Sequence, residues 1–526
     1  MEKAGFFIIA VIVGALSRLR IIQAYSDWFR QHLVGDAAFH YCVIRSLQQP
    51  RHYEGVPEFL IRRGPDTYPL AFHRFASLFP IAWLKTRPYL PNLIVFVVFF
   101  SVFVLYLLEL APTPSTLVTF LAAVIFLTAA SNIVHRGDSI LYVSLSERLL
   151  ARLSVGLFFL GVTTAMEGWG VGCVVVASIA GGVALCTSMF SRQALLLSSP
   201  LLALIQWDAT PLITLTGAFG LAVLFSPRRF LRGLGDQYKF IVSYNRHTKQ
   251  SRFYKGMLSR YVSWQLLFSS GAGIGKKLAE LEGKEPTQAI FRSPESIAFA
   301  ILFILADLPN MYHFFALLMA TFFLYLIIST PFLRHLGEGV RYIEYNLAFV
   351  GPLALALGLV AAPFHLAILV GSAYFVWVLL VLVASQVILR RMQIPTTDVL
   401  GDFLHKAAIG KEAVIFTVPV NLAPSITART GAATVCYPGV YGSWFFEEYI
   451  EEFPFLKRNW WDIVNRHGVT HILVDKIAAA EGVRILGWHY DFGCLKTVRE
   501  DPRYLCYGLD VHPSPVPSVT GGRTNA

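Results

Sequence analysis

The chain has 526 residues, of which 55% are apolar and only 15% charged, and its formal net charge is +11. A typical soluble domain carries about 25% charge, so this composition points to a membrane-embedded body and excludes disordered, collagen-like and disulfide-knot classes. The basic residues lie between apolar runs, which points to anionic lipid or a phosphate-bearing substrate as partner rather than nucleic acid.

A bilayer core of about 30 Å needs about 20 apolar residues per helix. About eleven candidate spans follow in chain order: 5–22, 92–110, 114–131, 149–165, 170–190, 194–206, 209–225, 294–307, 311–330, 341–362 and 364–389. The 194–206 and 294–307 runs are short enough to be re-entrant. Arg18 and Arg20 close the first run and no small-x-small cleavage site follows, so it reads as an uncleaved first helix.

Polar regions interrupt the spans at 24–90, rich in Arg, His and aromatic residues, and at the basic 226–293. Residues 1–392 form the expected membrane body and 393–513 a small soluble α/β domain. Strands are expected at Ala413–Pro419, Ala433–Tyr437 and Thr470–Asp475, and helices at Phe446–Phe453 and Leu456–His467. The tail 514–526 reads as disordered. Cys173 and Cys186 read as small core residues, and Cys494 and Cys506 are a bridge candidate if their domain is extracytoplasmic.

With the N-terminus inside, the 24–90 loop, the 132–148, 190–193 and 331–341 segments and the C-terminal domain all fall outside. The basic 226–293 segment falls there too, against the positive-inside tendency. Either the count is off by one, or that stretch serves a bound anion; the second is the expectation adopted.

The stretch Gly35-Asp36-Ala37-Ala38-Phe39-His40 opens the first loop. Asp36 and His40 share one helical face. An Asp at the membrane surface either takes a proton from an acceptor hydroxyl or caps the helix. In Pro65-Asp66-Thr67-Tyr68-Pro69-Leu70-Ala71-Phe72-His73, an extended turn leads into a helix with an apolar Phe72, Phe75 and Phe79 stripe, and Tyr68 and His73 are either site residues or interfacial aromatics. His135 and Asp138, the Glu147-Arg148 pair and Arg192 lie on the same side. Juxtamembrane arginines are phosphate-binding candidates or interfacial anchors. In Gly337-Glu338-Gly339-Val340-Arg341-Tyr342-Ile343-Glu344-Tyr345-Asn346, Arg341 and Glu344 either form a structural pair or present a guanidinium fork to phosphate, with Glu344 orienting it. No GxxxxGK[ST], strand-linked GxGxxG, HExxH or CxxC pair occurs, so ATP-driven transport, dinucleotide redox and zinc hydrolysis have no support.

Taken together, Asp36 in GDAAFH, the Tyr-Pro-x-x-x-His segment (Tyr68, Pro69, His73) and GEGVRYIEY resemble the GT-C superfamily of integral-membrane glycosyltransferases. The resemblance implies a polytopic α-helical membrane protein of about eleven transmembrane helices with a trailing soluble α/β domain. It implies transfer of a hexosyl or pentosyl unit from a polyprenyl-phosphate-sugar donor to a glycan, lipid or protein acceptor, with the active site and C-terminal domain on the extracytoplasmic side of the plasma (inner) membrane. Asp36 would then be the general base, and Arg341, Arg192 and Arg148 would bind the donor phosphate. His40, Asp66, Tyr68, His73, His135, Asp138 and Glu344 would serve the acceptor or an accessory role. Asp36 and Arg341 are expected to meet across one pocket. No cofactor is implied with certainty; a divalent metal is an open expectation, because Ala37 and Ala38 break the usual Asp-x-Asp pattern. The alternatives are a transporter or flippase of an anionic (glyco)lipid, and a non-catalytic scaffold.

Overall fold

The computed structural model describes residues 2–24, 36–49, 55–60, 67–110, 116–129, 144–244, 292–330, 333, 336, 339–391, 398–435, 450–452, 455–456, 460–486, 492–493 and 495–509. A helix stands at each of the eleven apolar runs. The helices before the C-terminal domain are α1 (Glu2–Ala24), α2 (Asp36–Leu47), α3 (Ala71–Ala76), α4 (Ile81–Thr86), α5 (Leu90–Leu110), α6 (Thr116–Thr128), α7 (Arg148–Met166), α8 (Val171–Thr187), α9 (Met189–Gln206), α10 (Thr210–Phe225), α11 (Pro227–Tyr244), α12 (Pro294–Ala306), α13 (Tyr312–Ser329), α14 (Gly339–Asn346), α15 (Val350–Ala361) and α16 (Phe364–Arg391).

Among the described residues, five helices are long and apolar enough to cross a bilayer, and up to seven if two bent pairs each count as one span. Three others, α6, α8 and α12, are apolar but shorter. Among the described residues, then, not every one of the eleven expected spans is a full-length apolar helix: the 13 residues of α6 reach about 20 Å at a rise of about 1.5 Å per residue. The bends have local causes. Between α10 and α11 the axis turns by 117° where Ser226, at φ −160 and ψ 65, precedes Pro227; the proline ring disfavours α geometry in the residue before it. Between α14 and α15 the turn is 59°.

Helix α7 is the centre of the bundle and is buried along nearly its whole length. Gly161 allows α8 to come close: a Cβ there would meet the Cys173 carbonyl oxygen at 2.6 Å. Arg152, fully buried on α7, donates from Nε to the Glu344 carbonyl at 3.1 Å and so ties α7 to α14. Arg18 is buried too, with its guanidinium over the Phe96 ring at 4.9 Å.

The C-terminal part opens with α17 (Val399–Lys406) and builds a five-stranded sheet. Its strands are β1 (Val414–Val418), β2 (Ala433–Thr434), β5 (His471–Asp475), β6 (Lys496–Glu500) and β7 (Tyr504–Gly508), in the order β2-β1-β5-β7-β6. β1 pairs in parallel with β2 and β5, while β7 runs antiparallel to β5 and β6. Helices α18 (Ala423–Thr430), α19 (Trp460–His467) and α20 (Lys476–Leu486) complete it. Two expectations change here. Within the expected 446–453 helix, Ile450–Glu452 is a strand, β3, paired antiparallel with β4 (Phe455–Leu456); Pro454 follows closely and disfavours helical geometry before it. The helix expected from Leu456 begins only at Trp460. Cys506 is a buried free thiol, and Cys494 lies outside the described residues.

This domain docks on the first loop. Thr434 donates its N–H to the Glu58 carbonyl at 2.8 Å, and Leu60 donates to the Thr434 carbonyl at 3.0 Å. Phe59 thereby extends the sheet beyond β2 as a parallel bridge. Helix α18 lies against α2, where Arg45 pairs with Glu58 and reaches the Thr427 carbonyl.

Candidate active site

Asp36 is the first residue of α2, where a negative charge is favoured by the helix dipole. Its Oδ2 lies 2.9 Å from Nη2 of Arg148, the first residue of α7, and the two side chains are 40% and 21% exposed. The segment before Arg148 is held by Asn92, buried at the start of α5, which donates to the carbonyls of Ser144 and Ser146. The pair is thus open to solvent but fixed from behind.

One turn beyond Asp36, His40 enters the interior. Its Nδ1 lies 2.8 Å from His73 Nε2, and its Nε2 lies 2.7 Å from Glu147 Oε2. Tyr68 donates its hydroxyl to Glu147 Oε1 at 2.9 Å. Phe39, Tyr68 and Phe72 pack edge-on or tilted around the two imidazoles. Burial, and next the neighbouring His40, bring the His73 imidazole down to about 3. Burial works to raise the Glu147 carboxyl, but His40, His73 and Arg148 outweigh it and hold it well below the usual carboxylate range. His73 is therefore neutral and Glu147 ionised. These three residues place potential donor atoms within 4.8 Å of one another, close enough to hold a metal ion.

Helix α3 carries His73 into this cluster, while Pro69, Leu70 and Arg74 beside it line a cavity of about 240 Å³. Arg192, Arg229 and Phe230 line it as well, and none of its lining residues is acidic. Ser188 caps α9 by accepting from the Phe190 and Ser191 amides, which sets Arg192 in the first turn. Arg192 is buried, donates from Nε to the Leu185 carbonyl at 2.7 Å and stacks over Phe230 at 5.3 Å. Three guanidinium groups in an otherwise apolar wall suit an anionic head group with an apolar tail.

Arg341 lies at the start of α14 with its guanidinium over Phe190 at 5.6 Å. Glu344 pairs with Arg292 at 3.1 Å. Tyr345 has Arg341, Arg148, Glu147 and Glu344 as electrostatic neighbours. Asp36 thus meets Arg148, while Arg341 is placed over Phe190. Asp66, His135 and Asp138 lie outside the described residues. Arg74 and Arg229 were not singled out by sequence reasoning, and Glu147 was noted only as the neighbour of Arg148, with no role of its own. The signal for Glu147 was an acid directly before a span; for Arg229 it was the basic segment assigned to a bound anion.

No protein-family model matches the chain, and no curated protein does. Solved structures do match. The oligosaccharyltransferase AglB from Archaeoglobus fulgidus, in complex with an inhibitory peptide and a dolichol-phosphate, aligns over 93% of this chain and 71% of its own, at 11% identity and a TM-score of 0.57. ArnT from Cupriavidus metallidurans, bound to undecaprenyl phosphate, aligns over 99% of each chain, at 12% identity and a TM-score of 0.51. The chain has the GT-C fold of integral-membrane glycosyltransferases. The match with ArnT extends over essentially the full length of both chains.

Proposed function

We propose that this chain is a GT-C glycosyltransferase that moves a sugar from a polyprenyl-phosphate-linked donor to an acceptor hydroxyl on the extracytoplasmic side of the plasma (inner) membrane. The observation that carries this reading is that one short helix, α3, separates two complementary features. On one side lie His40 and Glu147, next to the open Asp36–Arg148 pair; on the other is a cationic, apolar-walled cavity. The dolichol-phosphate and undecaprenyl phosphate in the two similar structures support a lipid-phosphate ligand for that cavity.

The chemistry follows from the charges. Arg148 holds Asp36 Oδ2, leaving Oδ1 to accept the acceptor's proton. The acceptor oxygen bonds to the anomeric carbon as the bond from that carbon to the phosphate oxygen breaks, which inverts the centre. The electron pair leaves with the lipid phosphate, whose growing negative charge is met by Arg192, Arg229 and Arg74, with Arg341 nearby. The acceptor is a glycan, lipid or protein hydroxyl, and the sugar a hexosyl or pentosyl unit.

The test is reconstitution in vesicles with labelled polyprenyl-phosphate sugar. Transfer to acceptor that is lost in Asp36→Asn supports the reading. Passage of the lipid across the bilayer without sugar transfer makes the chain a flippase instead.

A further inference from the structure

We propose that His40, His73 and Glu147 form a structural site for a zinc-type divalent cation that ties the first loop to the helix bundle. The three ligands come from three separate elements: α2, α3 and the residue before α7. Their donor atoms lie within 4.8 Å of one another. Two imidazoles and one carboxylate suit Zn²⁺ and its neighbours, whereas Mg²⁺ and Ca²⁺ prefer all-oxygen sets.

Inside the cluster Glu147 Oε2 lies 2.7 Å from His40 Nε2, and His73 Nε2 lies 2.8 Å from His40 Nδ1. His73 thus turns Nε2 to the cluster and Nδ1 toward the Pro69 backbone, the division of ring nitrogens that a ligating imidazole uses. The Tyr68 hydroxyl on Glu147 Oε1 is the kind of outer hydrogen bond that orients a ligating carboxylate.

Burial sets the role. His40 is 3% exposed, His73 0% and the Glu147 side chain 13%, so an ion here is enclosed by the fold, with water for its fourth ligand. Each ligand, however, adjoins a residue of the proposed site. His40 follows Asp36 by one turn, Glu147 precedes Arg148, and His73 precedes Arg74. One ion would therefore set the base, its arginine partner and a cavity arginine together. This consequence for activity rests on the proposed glycosyl transfer; the ion site itself does not.

The experiment uses the full chain in detergent, stripped with chelator and dialysed against Zn²⁺ or Co²⁺. The wild type retains about one equivalent by elemental analysis, shows the visible absorption of tetrahedral Co²⁺, and melts at a higher temperature with Zn²⁺ than without. His73→Asn and Glu147→Gln weaken Co²⁺ binding at least tenfold, about 1.4 kcal/mol. Tyr68→Phe keeps all three ligands, so it retains the ion. Wild type with no retained metal and no Co²⁺ band overturns the site, as does equal metal content in both ligand variants. Metal content also separates this proposal from the functional one. Asp36→Asn keeps its ion whether or not transfer is lost, and a metal-free wild type that still transfers sugar overturns the ion site alone.

Discussion

Asp36 and Arg148 stand 2.9 Å apart although 112 positions separate them in the chain. The contact joins the first residue of the loop helix to the first residue of the central helix. Because both side chains are partly exposed, the pair contributes only about 0–1 kcal/mol to stability. Asp36→Asn should therefore leave the melting temperature nearly unchanged. Turnover of labelled donor should fall by about 10²–10⁴-fold, the range of a lost general base. Turnover within a factor of a few of wild type would remove Asp36 from the mechanism.

Arg192 is buried against Phe230 and the Leu185 carbonyl, so its planar fork is held in one orientation. Arg192→Lys keeps the charge and loses the fork. The donor KM should rise about tenfold, an effect of about 1.4 kcal/mol, with a smaller change in kcat. A donor titration checks this; a fall in kcat at constant KM would place Arg192 outside donor binding.

Cys186 lines the same cavity and is only partly buried. In a variant whose other cysteines are replaced, an apolar thiol reagent should modify Cys186. Saturating polyprenyl phosphate should slow that modification at least tenfold. Mass spectrometry of the labelled protein reads the result, and equal rates with and without lipid would mean that the cavity does not take the donor.

Thr434→Pro removes the N–H that binds the Glu58 carbonyl while leaving the bonds from Ala433 to Ala413 and from Val435 to Ile415. One such bond is worth about 0.5–1.5 kcal/mol. The melting temperature should fall by a few degrees, and proteolysis within 55–60 should quicken. An unchanged cleavage pattern would show that the sheet extension does not hold the loop.

At the opposite end of α7, Glu167 accepts the His313 amide at 3.2 Å. Burial raises its carboxyl from 4.5 to about 7, against the pull of that amide. A raised acid stabilises the fold below its unfolded value, and the contribution is lost as pH rises through about 7. Melting temperature should thus decline between pH 5 and pH 8, and Glu167→Gln, which keeps the acceptor, should flatten the decline.

The helices were legible because an apolar run of suitable length has few other fates in a bilayer. Their bends were less so, because composition does not report where a chain turns: Pro227 marks the turn after α10, but nothing in 347–349 announces the one after α14. Asp36, His40, Tyr68, His73, Arg148 and Arg192 were legible as polar groups beside apolar runs. Their partners were not. Sequence spacing set Arg341 beside Glu344 but gave no sign that Glu344 meets Arg292 or that Asp36 meets Arg148. Such pairings depend on helix order in space, which periodicity within one segment does not encode.

The contact of Cys42 with the Pro424 carbonyl spans 382 positions. During synthesis the loop helix emerges early, yet the surface it packs on is translated only after the whole helical bundle. Contacts so remote in sequence form slowly, so the loop must wait, exposed, through insertion of the bundle. A chain cut short before α18 would therefore carry every apolar helix of the described residues, with its first loop lacking the last-made part that braces it.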